Sequence, residues 1–154
     1  MIKILFICHG NICRSPMAEY MLKDMVRRKG LESRFEIASA ATSREEIGND
    51  VHRGTRGKLA EAGIACPGRQ ARQVTRADYD TYDYLFIMDE NNRRNLLRIL
   101  GSDPAWKVHG MLDWSERPRD IADPWYTGNY DVTFDDIKEG CEAILRRLEE
   151  EGAL

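Results

Sequence analysis

The chain lacks several things that would decide its class at once. No apolar run is long enough to cross a membrane: the opening MIKILFIC is far too short. That opening also lacks the charged lead, long apolar centre and small-residue cleavage site of a secretory signal. There is no excess of one charge. Lys and Arg number 23 against 26 Asp and Glu, for a net charge of -3, which gives no general attraction to nucleic acid or to an anionic membrane. No internal repeat, linker or low-complexity tract interrupts the sequence. Metal-ligand spacing is missing too. Cys8 and Cys13 stand as C-x4-C, and His52 and His109 have no partners at zinc distances, so no metal and no cofactor are expected. The four cysteines, Cys8, Cys13, Cys66 and Cys141, read as thiols of a reducing compartment, hence the cytoplasm.

What is present is an ordinary globular composition, 42% hydrophobic and 32% charged over 154 residues, enough for one domain with one substantial core. Residues 2–8 read as a buried strand, because ILFI is unbroken and β-favouring. Ser15 and Pro16 mark a helix start, with an apolar stripe through Met17, Met21 and Met25 and through Ala18, Leu22 and Val26, and a stop at Gly30. Further strands are expected at 35–41, 82–89 and, more weakly, 107–112. Helices are expected from Thr55 to Ala62, over 91–100, and from about Phe134 to Glu149 with a stripe of Phe134, Ile137, Cys141, Ile144, Leu145 and Leu148. Strands alternating with helices predict an α/β fold with a mostly parallel sheet. Its sites lie beyond the carboxyl ends of the strands, where Cys8 and Asp89 fall. Residues 113–131 show no helical period and read as a long irregular loop on the same rim.

The stretch CHGNICRSP, 8–16, carries the chemistry. A loop between a strand and a helix turns several N–H groups toward one point, and the helix start adds more. Gly10 allows close approach or a positive φ, and Asn11 tolerates the left-handed region. Arg14 offers a planar fork for two phosphate oxygens. Cys8, at the bottom of a positive bowl, is placed to ionise readily, and Ser15 to donate to its sulfur. The loop therefore supplies a nucleophile, a clamp and an anion cradle. It lacks the lysine and spacing of a nucleotide P-loop, and it is not a G-x-G-x-x-G fingerprint. The bland alternative is a buried strand cysteine followed by a capping serine. A phosphate ester also needs an acid for its leaving oxygen. Asp113, Asp120 and Asp123 are equal candidates on these grounds, each with the alternative of a solvated loop carboxylate. Trp125 and Tyr126 suit the walls of a pocket for a flat ring.

The segment 8–16 resembles the C-x-G-N-x-C-R-S-P signature of the low-molecular-weight protein tyrosine phosphatases. The resemblance continues through Ser39-Ala40-Ala41-Thr42, Ala71-Arg72-Gln73, Met88-Asp89-Glu90 and Ala122-Asp123-Pro124-Trp125-Tyr126, nearly the whole of residues 1–154. It implies a four-stranded parallel sheet flanked by helices, with a phosphate-binding loop of His9, Gly10, Asn11, Ile12, Cys13, Arg14 and Ser15 between the first strand and the first helix. It also implies hydrolysis of phosphotyrosine in proteins or peptides, and of small aryl phosphates, through a phosphocysteine on Cys8. Arg14 would hold the oxygens and Asp123 would be the acid. Asn11, Ser15 and Ser39 would shape the loop, and Cys13 would pair with Cys8 under oxidation. Isoleucine at position 12 goes, in that family, with tyrosine phosphate, where threonine marks relatives acting on phosphoarginine.

Three positions depart from the pattern. His9 replaces a small or aliphatic residue, with the alternative of an idle loop histidine. Ser43 to Ile47 lack the tryptophan that animal members carry near the pocket mouth. Arg69 stands where some members have histidine. Arg53, Arg56, Arg69, Arg72 and Arg76 otherwise read mostly as solvated surface. Cys66 reads as a passive turn thiol, and Asp89 equally as a helix cap or as support for the site. Arsenate reductases of the same fold need two further redox cysteines, and none lies between Cys66 and Cys141. An idle phosphoprotein-binding module would have no use for Cys8, Arg14 and Asp123 together.

Overall fold

The computed structural model describes all residues from Met1 to Leu154. Four parallel strands form one sheet: β1 (Ile2–Cys8), β2 (Phe35–Ala41), β3 (Tyr84–Ile87) and β4 (Val108–Gly110), in the order β2-β1-β3-β4. Six helices accompany them: α1 (Arg14–Arg28), α2 (Arg53–Glu61), α3 (Arg76–Thr81), α4 (Glu90–Leu100), α5 (Pro124–Thr127) and α6 (Tyr130–Glu150).

The unbroken apolar run of β1 is explained by burial on both faces. Ile4, Phe6 and Cys8 belong to a large core shared with Met17, Met21 and Leu22 of α1 and with Ile137, Cys141 and Ile144 of α6. Leu5 and Ile7 point the other way, into a smaller core with Val74, Tyr82 and Leu96. Truncating a fully buried member such as Leu22 or Leu59 to alanine removes both transfer energy and packing, about 2–5 kcal/mol. Gly140 is required by close approach, since a Cβ there would lie 2.8 Å from the Met111 carbonyl. Helix α6 therefore seats directly against the segment that follows β4.

β1 pairs with β2 on one side and β3 on the other. Successive connections from β1 and to β3 thus run in opposite directions, and a crevice opens at the carboxyl ends of these two strands. Cys8 closes β1, and Asp89 begins just beyond β3.

Several boundaries differ from the sequence expectation. The third and fourth strands are shorter than 82–89 and 107–112. The last helix starts at Tyr130 rather than near Phe134, because Asn129 caps it by accepting the Val132 N–H at 3.1 Å. Residues 113–131 are not irregular throughout. Asp123 accepts the Trp125 N–H, Pro124 fills the first turn, and Gly128 at φ 70° closes the short helix α5. Helix α3 was not anticipated at all. Its sequence, RADYDT, has no apolar stripe and is held by a capping box between Thr75 and Asp78.

Candidate active site

The loop from Cys8 to Ser15 turns at Asn11, whose φ of 59° is left-handed. The positive φ thus falls on Asn11 and not on Gly10. A Cβ at Gly10 would come within 3.3 Å of the Glu46 side chain, a tight contact that a small shift of that glutamate would relieve. Asparagine is one of the few side chains that bears the left-handed conformation at low cost, and here its amide repays that cost.

Asn11 Nδ2 donates to Ser15 Oγ at 2.8 Å and to Ser39 Oγ at 2.9 Å, and its Oδ1 accepts the Arg72 N–H at 3.2 Å. Ser39 in turn donates to Glu19 at 2.5 Å, and Glu19 is paired with Lys23 at 2.6 Å. The direction of this chain matters. Ser15 Oγ accepts from Asn11, so its own hydrogen is free for Cys8 Sγ, 3.1 Å away. Arg69 donates to the Asn11 carbonyl at 2.5 Å and fixes the strained peptide from the other side. Arg69 and Arg72 are therefore not plain solvated surface: Arg72 also makes a two-pronged contact with Asp78 at 2.9 and 3.1 Å.

The backbone N–H groups of His9 to Cys13 donate to no other group of the chain. Unpaired buried donors are rare in folded proteins, and a row of them around one point forms an anion-binding concavity. Arg14 completes it. Its side chain is only 2% exposed, with Nη1 bonded to Asp89 at 2.6 Å and to the Ile121 carbonyl at 2.8 Å, and Nη2 at 3.3 Å from Asp123. Burial alone would lower the guanidinium pKa. The charges of Cys8, Asp89 and Asp123 outweigh it and push the value up, so the cation is permanent. Asp89 serves both as support and as cap, because its other oxygen accepts the Asn92 N–H at 2.8 Å at the start of α4.

The three candidate acids separate cleanly. Asp123 touches Arg14 and faces the cavity. Asp113 folds back onto the Gly110 N–H at 2.8 Å, and Asp120 accepts the Glu90 N–H at 3.4 Å. The segment bearing Asp123 is pinned to α6 by Arg119, which bonds Asp136 at 2.7 Å and Glu139 at 2.9 and 3.1 Å.

Cys8, His9, Gly10, Ile12, Cys13, Arg14, Asp123, Trp125 and Tyr126 all line one cavity of about 110 Å³. Asn11, Ser15 and Ser39 lie behind the loop, buried and in the hydrogen-bonded chain just described. Sequence reasoning missed Glu45 and Glu46, which occupy the lip where the animal tryptophan is absent. His9 lines the cavity, and its Nε2 lies 2.9 Å from Glu45. It also missed Glu19, an acid on an otherwise apolar helix face one turn after Ser15, and Tyr130. The Tyr130 hydroxyl bonds His52 Nδ1 at 2.8 Å and lies 3.9 Å from Cys13 Sγ. The Cys13 thiol is pushed up to about 12, first by burial and then by the neighbouring Cys8 charge. A larger cleft of about 400 Å³ runs beside Tyr20, Arg27 and Phe35; it includes Lys23, the partner of Glu19, but none of the residues that line the cavity at Cys8.

Known proteins resemble this chain in sequence and fold. The family model described as low molecular weight phosphotyrosine protein phosphatase matches residues 3–154. The low molecular weight protein-tyrosine-phosphatase YfkJ of Bacillus subtilis is 40% identical over 156 residues, covering the whole of both chains. The low molecular weight phosphotyrosine protein phosphatase of Gallus gallus is 36% identical over 94% of each. The crystal structure of YfkJ superposes with a TM-score of 0.94 over 98% of this chain and 96% of that one. SP-PTP from Streptococcus pyogenes, 36% identical, gives 0.87 over 96% and 93%.

Proposed function

The chain belongs to the low molecular weight protein-tyrosine-phosphatase family and is a phosphoric monoester hydrolase; from that premise we propose that it removes phosphate from tyrosine in proteins or peptides, and from small aryl phosphates, through a phosphocysteine on Cys8. The observation that carries this reading is that the N–H groups of His9 to Cys13, on the loop that follows Cys8, bond to no other group of the chain, while Cys8, Arg14 and Asp123 line one cavity with that loop. Those donors and Arg14 bind the three non-bridging oxygens. Cys8 attacks phosphorus in line with the ester oxygen. Asp123 donates a proton to the departing phenolate, then takes one from the water that releases phosphate. Asn11, Ser15 and Ser39 hold the loop in shape, and Trp125 and Tyr126 flank the ring.

The whole chain acts as one catalytic domain. Its four cysteines are free thiols, which supports a cytoplasmic setting. Its net charge of -3 favours neither nucleic acid nor an anionic membrane as partner. The reading calls for no metal or cofactor.

The experiment compares Asp123→Asn, Asp120→Asn and Asp113→Asn on aryl phosphates of graded leaving-group pKa, with phosphoserine and phosphoarginine peptides as substrate controls. Acidic phenols leave almost unaided, whereas tyrosine does not. Asp123→Asn should steepen the plot of log kcat/KM against leaving-group pKa and remove the limb of the pH profile that reports the protonated acid. The other two variants should match wild type. A plot unchanged by Asp123→Asn but steepened by Asp120→Asn would move the acid three residues upstream.

The cavity also supports redox control, since both Cys8 and Cys13 line it. Peroxide converts the Cys8 thiolate to a sulfenic acid and hydroxide. Attack by the Cys13 thiolate then forms the S–S bond and breaks the S–O bond, and the sulfenic oxygen leaves as hydroxide, which takes a proton from solvent. Once Cys8 is a neutral sulfenic acid its charge no longer raises the Cys13 thiol, but burial, the larger cause, still does, so Cys13 stays mostly protonated at neutral pH and its thiolate fraction grows about tenfold per pH unit. Mild peroxide should give a reversible Cys8–Cys13 disulfide whose closure accelerates as pH rises from 6 to 8, with activity restored by thiol. Peptide mass mapping that finds irreversible Cys8 acids instead, or a link to Cys66, removes the shielding role.

A further inference from the structure

The cavity above Cys8 does not end at Asp123. A second cleft of about 320 Å³ opens from it, sharing His9, Arg14, Asp123 and Tyr126, and is walled on its far side by Asn91 and Asn95 of α4. These asparagines are one turn apart, so they sit on one face of the helix.

Both are engaged by arginines. Arg94 donates to Asn91 Oδ1, and Arg98 donates to Asn95 Oδ1 at 3.1 Å. An amide oxygen orients a guanidinium without neutralising it. The third arginine of this helix, Arg93, is paired with Glu90 at 3.2 Å. Arg94 and Arg98 have no carboxylate within salt-bridge distance, unlike Arg93 on the same helix. Two exposed arginines without a carboxylate partner therefore stand beside the asparagines that wall the cleft, outside its lining proper. The first cavity has the opposite character at its lip, where Glu45 and Glu46 stand. Asp89 and Asp123 also line the cleft, but both are paired with Arg14, so the charges left without a partner on the α4 side are the two arginines, against the carboxylates of Glu45 and Glu46 at the other lip.

Resting on the phosphatase reading, we propose that the cleft along α4 receives the chain flanking the phosphotyrosine, and that Arg94 and Arg98 select substrates with Asp or Glu on that side. An acidic flank laid the other way meets Glu45 and Glu46 and is disfavoured. Small aryl phosphates do not extend this far and are blind to the pair. The effect belongs to exposed charges, so it is modest and falls with salt, about three- to tenfold for two contacts at low ionic strength.

The test uses the full chain, wild type and Arg94→Glu/Arg98→Glu, with three phosphotyrosine peptides. One carries acids only before the phosphotyrosine, one only after it, and one has neutral flanks. The readout is kcat/KM for each acidic peptide relative to the neutral one, at low salt and at about 0.5 M salt. Wild type should favour one acidic peptide by about three- to tenfold at low salt. Charge reversal should bring that ratio to one or below, and high salt should erase it. A matching peptide with lysines on the favoured side should then be preferred by the variant, which a merely structural defect would not produce. No preference in wild type for either acidic peptide, or a preference that survives charge reversal, overturns the proposal. Failure of wild type to hydrolyse any aryl phosphate is a different result, which removes the phosphatase reading and this subsite with it.

Discussion

Cys8→Ser is expected to lose more than roughly 10⁴-fold in steady-state turnover while the chain keeps its fold and its grip on phosphotyrosine. The substitution exchanges one atom at a site that is 3% exposed. The sulfur has a single polar contact, with Ser15 Oγ at 3.1 Å, which a hydroxyl also makes. The cradle does not depend on the sulfur either, since its donors are the backbone N–H groups of His9 to Cys13 and the Arg14 guanidinium. What is lost is the nucleophile, because a serine hydroxyl there has no adjacent base to take its proton. Titration calorimetry with a phosphotyrosine peptide should show an affinity within a few-fold of the wild-type KM, and circular dichroism an unchanged melting transition. Hydrolysis near the wild-type rate would sink Cys8 as the nucleophile. Loss of binding along with turnover would show instead that the sulfur holds the loop in place.

Much of this architecture is legible in the sequence wherever one residue does one job. Ile4 to Ile7 form an uninterrupted apolar run because β1 is covered on both faces. The stripe from Ile137 to Leu148 faces a single core. The loop is legible for a different reason: Cys8, Asn11, Arg14 and Ser15 are close in sequence, so their convergence needs only one turn. What was hidden depends on contacts across long separations. Glu19 reaches Ser39, and Arg69 reaches the Asn11 carbonyl 58 residues away. No local pattern distinguishes those two from surface charges. Helix α3 escaped because capping, not an apolar stripe, holds it. Helix α5 was readable from Asp123-Pro124 as cap and first turn, but a four-residue helix leaves no period to detect. The choice among Asp113, Asp120 and Asp123 needed either the family resemblance or the geometry, since all three are loop carboxylates and only the path of the chain brings one to Arg14.

Arg14→Lys keeps the charge and should still lower kcat by at least about a hundredfold, the effect of losing a preorganised donor to the transition state. The guanidinium is held as a plane by three groups at once: Asp89 at 2.6 Å, the Ile121 carbonyl at 2.8 Å and Asp123 at 3.3 Å. A lysine ammonium is a single point on a flexible stem and cannot present two parallel donors to a planar phosphoryl group while keeping those anchors. Two consequences separate this account from a simple change of charge. The Ile121 carbonyl loses its partner in a buried site, which costs about 1–3 kcal/mol and should lower the melting temperature. Ile121 is also two residues before Asp123, so the acid loses a fixed point on both sides. Arg14→Lys should therefore slow esters of acidic phenols, which need no proton, as well as phosphotyrosine, and phosphotyrosine more. Asp89→Asn is the companion measurement. Its one remaining oxygen can accept from Nη1 or from the Asn92 N–H, not from both, so the variant removes a charge beside the guanidinium and also loosens the start of α4; it should cost less kcat than Arg14→Lys, lower the melting temperature, and leave the leaving-group dependence close to wild type. A change in kcat below about threefold for Arg14→Lys would mean that charge alone suffices, and the clamp would have to be assigned to the backbone N–H groups.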